Sequence, residues 1–299
     1  MRILILGHRG MLGSELFGRL SLQHDVTGED TDAFDIASER DCFRVIRDAG
    51  PDVVINAAAY TDVDGAEKKR EWCFAVNADG VRNVAMACRP GGIKIVHFST
   101  DYVFDGMKGA PYREDDPCRP LNVYGESKLA GEQHLQQCST NYLLVRTAWM
   151  YGRQGNHFVK TILDQVGKQG RLDVVNDQKG SPTNAKDLAA AVERLLTGGH
   201  TGTFHVTNRG SCTWHDFALK ILAYAGILGV PVMPIGSDRL SRAARRPRYS
   251  VLNCTKFIEA TGKAMRPWQL ALEDHMSRQP LAGVKDHPGD AIYKPPSPT

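Results

Sequence analysis

The sequence predicts an α/β fold: a doubly wound parallel sheet in the first half of the chain, followed by a smaller C-terminal lobe. Short apolar runs alternate with helix-length segments through the first half, the order typical of parallel strands joined by helical crossovers. Most of the apolar residues in these runs are consecutive rather than at every second position, as in strands buried on both faces. A glycine-rich turn separates the first run from the first helical segment.

The predicted strands and helices of this half alternate along the chain. The strands are the apolar runs at residues 3–6, 26–27, 53–55, 93–98 and 142–146. The helices that follow them are expected at residues 11–20, 39–49, 72–88, 123–137 and 157–166.

The pattern changes after Trp149, and we divide the chain there. Residues 1–150 are expected to form a dinucleotide-binding domain, and residues 151–279 mainly a substrate-binding lobe. The lobe contains predicted helices at 185–196 and 214–225 and a strand at 202–206, and the segment 184–206 is expected to return to the sheet. Residues 280–299 are rich in proline, which predicts a mobile tail.

The composition argues against several classes of function. A formal charge of +3 over 299 residues is too small to indicate nucleic acid or a membrane surface as the main partner. The seven cysteines have neither the spacing of a disulfide framework nor a Cys-x-x-Cys zinc pair, which favours a reducing, cytoplasmic location. No apolar run reaches the length of about 18 residues that a transmembrane helix needs, and no signal peptide is recognisable.

Gly7, Gly10 and Gly13 lie between the first predicted strand and the first predicted helix, the arrangement of a Rossmann-like dinucleotide-binding turn. Such a turn lets the backbone approach a pyrophosphate, and the amides at the start of the helix meet its negative charge. An ordinary strand–helix turn is the alternative interpretation.

The second strand ends beside an acid, Asp30, that could bind the ribose of NAD and repel the 2′-phosphate of NADP. His8 and Arg9, in the glycine turn, could instead hold that phosphate. The sequence therefore leaves the choice between NADH and NADPH open. The small residues Ala57 and Ala58, after the third strand, would let the backbone lie close to a cofactor, although ordinary tight packing explains them equally.

Tyr124 and Lys128 are four residues apart on a predicted helix and therefore lie on the same face. An ammonium near a phenol lowers the pKa of the phenol, so we expect Tyr124 to exchange a proton near neutral pH, as reduction of a carbonyl requires. Thr100 ends a predicted parallel strand, where such sheets place their ligands. The alternative is an exposed helical pair without a catalytic role.

These motifs together resemble the extended short-chain dehydrogenase/reductase superfamily and, within it, the dTDP-4-dehydrorhamnose reductase family. The glycine turn is common to the superfamily, but two segments are specific to this family: residues 99–106, Ser-Thr-Asp-Tyr-Val-Phe-Asp-Gly, and the segment around Tyr124-Gly-Glu-Ser-Lys. The resemblance extends over about residues 1–275. It departs from the family at Tyr249, where asparagine is common.

The resemblance implies roles for individual residues. Tyr124 would donate the proton, Lys128 would bind the nicotinamide ribose and tune Tyr124, and Thr100 would complete the triad. The remaining cofactor contacts implied are Gly10, Met11 and Leu12 at the pyrophosphate, Asp30 at the adenosine ribose, Asp35 and Ile36 at the adenine end, and Ala59, Tyr60 and Thr61 along the cofactor. The substrate contacts implied are Thr100, Asp101, Trp149 and Arg246.

The implied reaction is the reduction of the C4 ketone of dTDP-4-dehydro-β-L-rhamnose by NADPH or NADH, in dTDP-L-rhamnose biosynthesis for cell-surface polysaccharide. The resemblance also implies a homodimer, with Mg²⁺ near Glu15 a minor possibility. A dehydratase is disfavoured because Tyr102, and not glutamate, follows Asp101, and an epimerase-reductase because no cysteine lies near Thr100. The open alternatives are a reductase of a related nucleotide-4-keto-6-deoxy sugar and a non-catalytic regulatory subunit of methionine adenosyltransferase.

Overall fold

Strands and helices alternate along residues 1–168 and 170–278, the part of the chain that the computed structural model describes. The strands are β1 (Arg2–Leu6), β2 (Asp25–Glu29), β3 (Val53–Asn56), β4 (Lys94–Thr100), β5 (Tyr142–Thr147), β6 (Met150–Tyr151), β7 (Leu172–Val175), β8 (Lys179–Gly180), β9 (Thr183–Asn184), β10 (Gly202–His205), β11 (Cys212–Thr213) and β12 (Val232–Ile235). The α-helices are α1 (Met11–Leu20), α2 (Glu39–Ala49), α3 (Val63–Lys68), α4 (Arg70–Phe74), α5 (Gly80–Cys88), α6 (Val123–Cys138), α7 (Phe158–Val166), α8 (Ala185–Thr197), α9 (Trp214–Tyr224), α10 (Thr255–Thr261) and α11 (Trp268–Ser277). The tail expected at 280–299 lies outside the described residues.

Six parallel strands form the main sheet, in the order β2-β1-β3-β4-β5-β10. The predicted α/β class with a doubly wound parallel sheet is confirmed. The strand order reverses between β1 and β3, and doubly wound sheets bind ligands in the crevice at such a point, outside the carboxyl ends of the strands. The glycine turn after β1 and Thr100 at the end of β4 both lie at this edge.

Apolar side chains cover both faces of the sheet because its strands are buried between two helical layers. Ile3 and Ile5 belong to the core on the side of α1 and α8, whereas Leu4 and Leu6 belong to the core on the side of α2, α5 and α6. Burial on both faces accounts for the continuous apolar runs of the sequence.

A separate apolar core lies in the C-terminal half, among α7, α9 and α11. Three two-stranded pairs accompany it: β6 with β9, β7 with β12, and β8 with β11. From the same half of the chain, α8 packs on α1 and β10 extends the main sheet beside β5. The boundaries of the two expected domains stay a prediction.

The helix predicted over residues 72–88 is wrong as a single element. The chain forms α4, then a π-helical turn at Ala75–Asp79, and then α5. Within this turn the Asn77 side chain is buried and bonds to the backbone of Tyr60, outside the helix. Within the described residues, no helix is both long enough and apolar enough to cross a membrane.

Candidate active site

The turn after β1 permits a very close approach of backbone. Gly7 has φ +79°, and a Cβ on it would lie 2.8 Å from the Ala58 nitrogen. A Cβ on Gly13 would collide with the Gly7 carbonyl oxygen, so α1 can pack against the turn only because both residues are glycine. No side chain of the described residues caps α1 at Gly10, which leaves its first amides available to an anion. This turn therefore fits a dinucleotide pyrophosphate.

Met11 and Leu12, the next two residues of the turn, differ in what they can offer a cofactor. Met11 is partly exposed, whereas the Leu12 side chain is buried in the core beneath the sheet. A contact from Leu12 to a phosphate is therefore limited to its backbone amide.

Asp30 lies directly after β2, beside the glycine turn. Its carboxylate accepts hydrogen bonds from the backbone nitrogens of Arg9, at 3.0 Å, and Thr31, at 2.9 Å. Burial by itself raises the pKa of Asp30, but these two hydrogen bonds and the Arg9 guanidinium bring it below its usual value. The carboxylate is therefore ionised, and Arg9 is tied to it and to Asp32 rather than free beside the turn.

The segment after β3 lines the same crevice. Ala57, Ala58, Ala59 and Tyr60 are partly exposed there and Thr61 is exposed, so all five are accessible to a ligand.

Asp35 and Ile36, which were expected at the adenine end of the cofactor, differ in their exposure to solvent. Asp35 is exposed, whereas Ile36 is buried against Gly80. The Asp35 side chain is accessible to a cofactor, whereas the Ile36 side chain is buried.

The helix that carries the tyrosine begins against the end of β4. Asn122 caps α6 by accepting a hydrogen bond from the Gly125 nitrogen at 2.8 Å. A Cβ on Gly125 would collide with the Tyr102 carbonyl oxygen, so this glycine allows the first turn of α6 to approach β4. Tyr124, in that turn, is thereby brought to the carboxyl end of β4.

The structure brings Thr100, Tyr124 and Lys128 together. The Thr100 hydroxyl lies beside the Tyr124 hydroxyl and lowers the pKa of that phenol against the larger effect of burial. It accepts a hydrogen bond from the Tyr102 nitrogen at 3.2 Å and donates one to Asp101 Oδ1 at 3.1 Å. Lys128 is 3% exposed, and no acceptor in residues 1–168 or 170–278 hydrogen-bonds its ammonium.

The expectation that Lys128 makes Tyr124 acidic is wrong. Burial raises the pKa of Tyr124 well above its usual value, and the nearby Asp101, Tyr102 and Cys73 raise it further, while the Thr100 hydroxyl lowers it. Burial also lowers the pKa of Lys128, to about 8, against the opposing effect of Glu132 and Cys73. The phenol therefore holds its proton, as a proton donor must before it acts.

Asp101 is buried beside this triad, with 2% of its surface exposed. Burial raises the pKa of its carboxyl to about 7, although the Ser250 and Thr100 hydroxyls both lower it. Its Oδ2 accepts no hydrogen bond from the residues that the structure describes. The resemblance implied a substrate contact, but the structure places Asp101 against Thr100.

Trp149, just beyond β5, is partly exposed. Its indole is stacked on that of Trp214, the first residue of α9. Reasoning from sequence missed Trp214, because it read this residue only as the start of a helix. No local pattern indicates that the two rings meet.

Arg246 does not present a free guanidinium. It makes a bidentate ion pair with Asp64, with both nitrogen–oxygen distances at 2.6 Å, and Nη1 also donates to the Ala244 carbonyl oxygen. Its side chain is 7% exposed. The Arg246 hydrogen bond lowers the pKa of Asp64 to about 2, against the effect of burial. The expected contact of Arg246 with a phosphate would have to compete with this carboxylate.

No group of three or more histidine, cysteine or acidic side chains that could hold a metal ion occurs in the described part of the chain. The possible Mg²⁺ near Glu15 gains no support from the structure.

The parallel sheet, the glycine turn after its first strand and the tyrosine–lysine pair beside β4 define an extended short-chain dehydrogenase/reductase. The chain belongs to the family described as RmlD substrate binding domain, whose model matches residues 1–280. The resemblance inferred from the motifs is confirmed.

Two curated relatives and one solved structure are similar over most of the chain. A dTDP-4-dehydrorhamnose reductase of Mycolicibacterium smegmatis is 40% identical over 277 residues, which cover 91% of this chain and 84% of that protein. A dTDP-4-keto-6-deoxy-D-glucose reductase of Streptomyces niveus is 38% identical over 276 residues, 91% of this chain and 95% of that protein. The crystal structure of a Bacillus anthracis dTDP-4-dehydrorhamnose reductase in complex with NADP aligns with a TM-score of 0.90 and 38% identity, covering 93% of this chain and 99% of that one.

Proposed function

We propose that this protein is an oxidoreductase that reduces the C4 ketone of dTDP-4-dehydro-β-L-rhamnose to dTDP-β-L-rhamnose, with NADPH or NADH as hydride donor. The observation that carries the proposal is the meeting of the Thr100 and Tyr124 hydroxyls beside Lys128 at the carboxyl end of β4. Its specific substrate comes from the likeness to reductases of this name.

The cofactor site is assigned to the crevice between the glycine turn and α6. The pyrophosphate would be held by the backbone of Gly7, Gly10, Gly13 and Leu12. Only glycine fits at the first and third glycine positions, and this allows the tight turn that brings the backbone close to the phosphates. A bound dihydronicotinamide supplies the hydride. The buried Lys128 ammonium, which has no protein acceptor among the described residues, is suited to donate hydrogen bonds to ribose hydroxyls.

The preference between NADH and NADPH depends on Asp30. An ionised carboxylate accepts hydrogen bonds from ribose hydroxyls and repels a 2′-phosphate, and Arg9 is already paired with Asp30 and Asp32. This arrangement supports NADH, whereas the NADP bound in the Bacillus anthracis structure supports NADPH. The assay therefore tests NADH and NADPH separately.

Proton transfer is assigned to Tyr124. As the ketone carbon is reduced, its oxygen becomes an alkoxide and takes the phenolic proton, so the C4 hydroxyl forms. The Thr100 hydroxyl lies beside the same phenol and can stabilise the charge that develops on either oxygen.

A reductase of a related dTDP-4-keto-6-deoxy sugar is the second candidate. The Streptomyces niveus relative, named for a D-glucose derivative, favours it. The two candidates differ only in the sugar accepted, so parallel assays with both ketosugars separate them.

The test follows the absorbance of NADPH and NADH with dTDP-4-dehydro-β-L-rhamnose. We expect turnover by the wild type and a loss of about 10²-fold or more in kcat for Tyr124→Phe, with cofactor binding nearly unchanged, because general acid catalysis contributes about that much. Tyr142→Phe, at the opposite end of the sheet, is the matched control and should retain wild-type kcat.

A Tyr124→Phe variant within twofold of wild-type kcat would rule out the assigned proton donor. No turnover of either ketosugar with either cofactor would refute the reductase and favour the non-catalytic alternative, which copurification with a methionine adenosyltransferase would support. The homodimer and the cytoplasmic location stay predictions, and the mass of the protein in solution tests the first.

A further inference from the structure

Trp149 has the unusual backbone among the residues near the site. Its φ is +47°, the one positive value found outside glycine in the described chain. A bulky residue in this left-handed region is strained, and such strain persists only where neighbouring structure enforces it. The Trp149 carbonyl oxygen accepts a hydrogen bond from the Thr183 nitrogen at 3.2 Å, which ties its backbone to β9.

The ring of Trp149 is held on one face and along one edge. Its centroid lies 3.4 Å from that of Trp214, with 6° between the ring planes. The edge that carries Nε1 lies over Gly180, where any Cβ would collide with it. Gly180 lies in β8 and Trp214 directly follows β11, and these two strands pair with Cys212 opposite Gly180. The pairing of β8 with β11 therefore brings both Gly180 and Trp214 close to the Trp149 ring.

Trp214 is itself fixed from several directions. Thr213 and Asp216 form a capping box at the start of α9, which fixes the helical turn that Trp214 begins. The Trp214 indole donates a hydrogen bond to Gln178 Oε1 at 3.2 Å. Phe158 packs against its ring, with 4.5 Å between centroids. The C-terminal lobe thus presents a rigid plane to Trp149.

We propose that Trp214 is a positioning residue. Together with Gly180, which lies against the edge of the Trp149 ring, it holds Trp149 in the orientation that recognises the sugar ring of the substrate. The inference rests on the proposed function for the identity of the ligand. Trp214 covers one face of the Trp149 indole, so the remaining accessible surface of this partly exposed ring is what a deoxyhexose meets. Loss of Trp214 should therefore weaken recognition of the sugar while leaving the nucleotide and the nicotinamide sites intact.

The test compares two ligands that differ only by the sugar. Binding of dTDP-β-L-rhamnose and of dTDP is measured by titration calorimetry, with NADP⁺ present, on the wild type and on Trp214→Leu. We expect the Kd for dTDP-β-L-rhamnose to rise roughly three- to tenfold, as for loss of one aromatic stack, and that for dTDP to change less than twofold. Trp214→Phe, which keeps a flat ring, should restore most of the affinity. Gly180→Ala should act like Trp214→Leu.

Circular dichroism provides a readout that does not depend on any ligand. Two stacked indoles couple their electronic transitions, so the wild type should give a far-ultraviolet couplet that Trp214→Leu and Trp149→Leu both abolish. Trp72→Phe, which removes an exposed tryptophan on α4, is the matched control and should keep it.

Three results would overturn the proposal: no couplet in the wild type, unchanged affinity for dTDP-β-L-rhamnose in Trp214→Leu, or equal weakening of both ligands. Equal weakening with a lowered Tm would identify Trp214 as a structural residue of the lobe only. These binding arms need no turnover. A wild type that binds dTDP-β-L-rhamnose but reduces no ketosugar would refute the proposed reaction and leave the positioning role standing.

Discussion

The direction of the Thr100 hydroxyl depends on the proton of its neighbour, Asp101. An ionised Asp101 accepts the Thr100 hydrogen at Oδ1, so that hydrogen is unavailable to a substrate. A protonated Asp101 can donate to Thr100 instead, and Thr100 can then donate to a ketone or to Tyr124. Because burial raises the pKa of Asp101 to about 7, both states occur near neutral pH.

We therefore expect kcat of the wild type to rise as the pH falls through about 7, and the Asp101→Asn variant to lack this step. The tyrosines that face Asp101, Tyr102 and Tyr124, have raised pKa values and do not titrate in this range. Lys128, whose pKa is about 8, should cause a separate change that both proteins show. The measurement is the pH profile of kcat at saturating cofactor and ketosugar.

Thr100→Ser keeps the hydroxyl and serves as the control, since it should retain the step near pH 7. An unchanged midpoint in Asp101→Asn would show that the carboxyl does not govern Thr100.

At the scale of elements, the π-helical turn at Ala75–Asp79 connects the cofactor crevice to α6. It directs the buried Asn77 amide to the Tyr60 backbone, accepting from the nitrogen at 2.9 Å and donating to the oxygen at 3.0 Å. The same amide donates to Ser127 Oγ at 3.0 Å, and Ser127 donates to the Tyr124 carbonyl oxygen. Asn77 thus holds the loop after β3 at a set distance from the helix that carries Tyr124.

We expect Asn77→Ala to lower the free energy of unfolding by about 2 kcal/mol, because it leaves part-buried backbone groups of Tyr60 unpaired. It should also lower kcat at saturating cofactor roughly tenfold through misplacement of Tyr124. Urea unfolding and steady-state kinetics measure the two effects.

The matched control is Asn83→Ala on α5. Asn83 is also buried, and its amide donates to the Ile36 and Ala37 carbonyl oxygens, but not to α6. It should lose comparable stability and keep kcat. Equal losses of kcat in both variants would contradict the positioning role of Asn77.

For the molecule as a whole, the buried His205 links β10 to its neighbours in a form that is neutral at neutral pH. His205, at the end of β10, donates from Nδ1 to the Tyr112 carbonyl oxygen and accepts at Nε2 from Arg146. Arg146 is in turn paired with Glu132 of α6, and both are buried. Burial, and then the charge of Arg146, lower the pKa of His205 to about 3.

Stability should therefore fall in mild acid. Between the unfolded pKa of about 6.5 and the lowered folded value, the unfolded chain binds a proton at His205 that the folded protein does not. This difference reduces the free energy of unfolding by about 2 kcal/mol at pH 5 relative to neutral pH, and it is fully recovered above about pH 7. Urea unfolding between pH 5 and pH 8 measures it.

His205→Gln removes the titrating group, so the free energy of unfolding of this variant should depend less steeply on pH, whatever its absolute value. An identical slope in the variant and the wild type would show that His205 does not carry the effect.

Local pattern alone was sufficient for much of this molecule. The bounds of α1 and α2 agree with the predicted helices, and the buried strands agree with the apolar runs, because a helix period or a continuous apolar run is a property of neighbouring residues. The spacing of Tyr124 and Lys128 likewise put both on one face of α6. The glycine turn was recognisable because only glycine allows so close an approach.

Tertiary structure decided what local pattern could not contain. Burial raises the pKa of Tyr124, whereas Lys128 was expected to lower it. The Arg246 guanidinium, expected to contact the substrate, forms an ion pair with Asp64 of α3. The Trp214 ring stacks on Trp149 across a large separation in sequence, next to the point where β8 pairs with β11. The sequence by itself determined the elements and the residue types of the site. Desolvation and contacts between distant segments determined the charge and orientation of those residues, because both depend on what folds around a side chain and not on its neighbours in the chain.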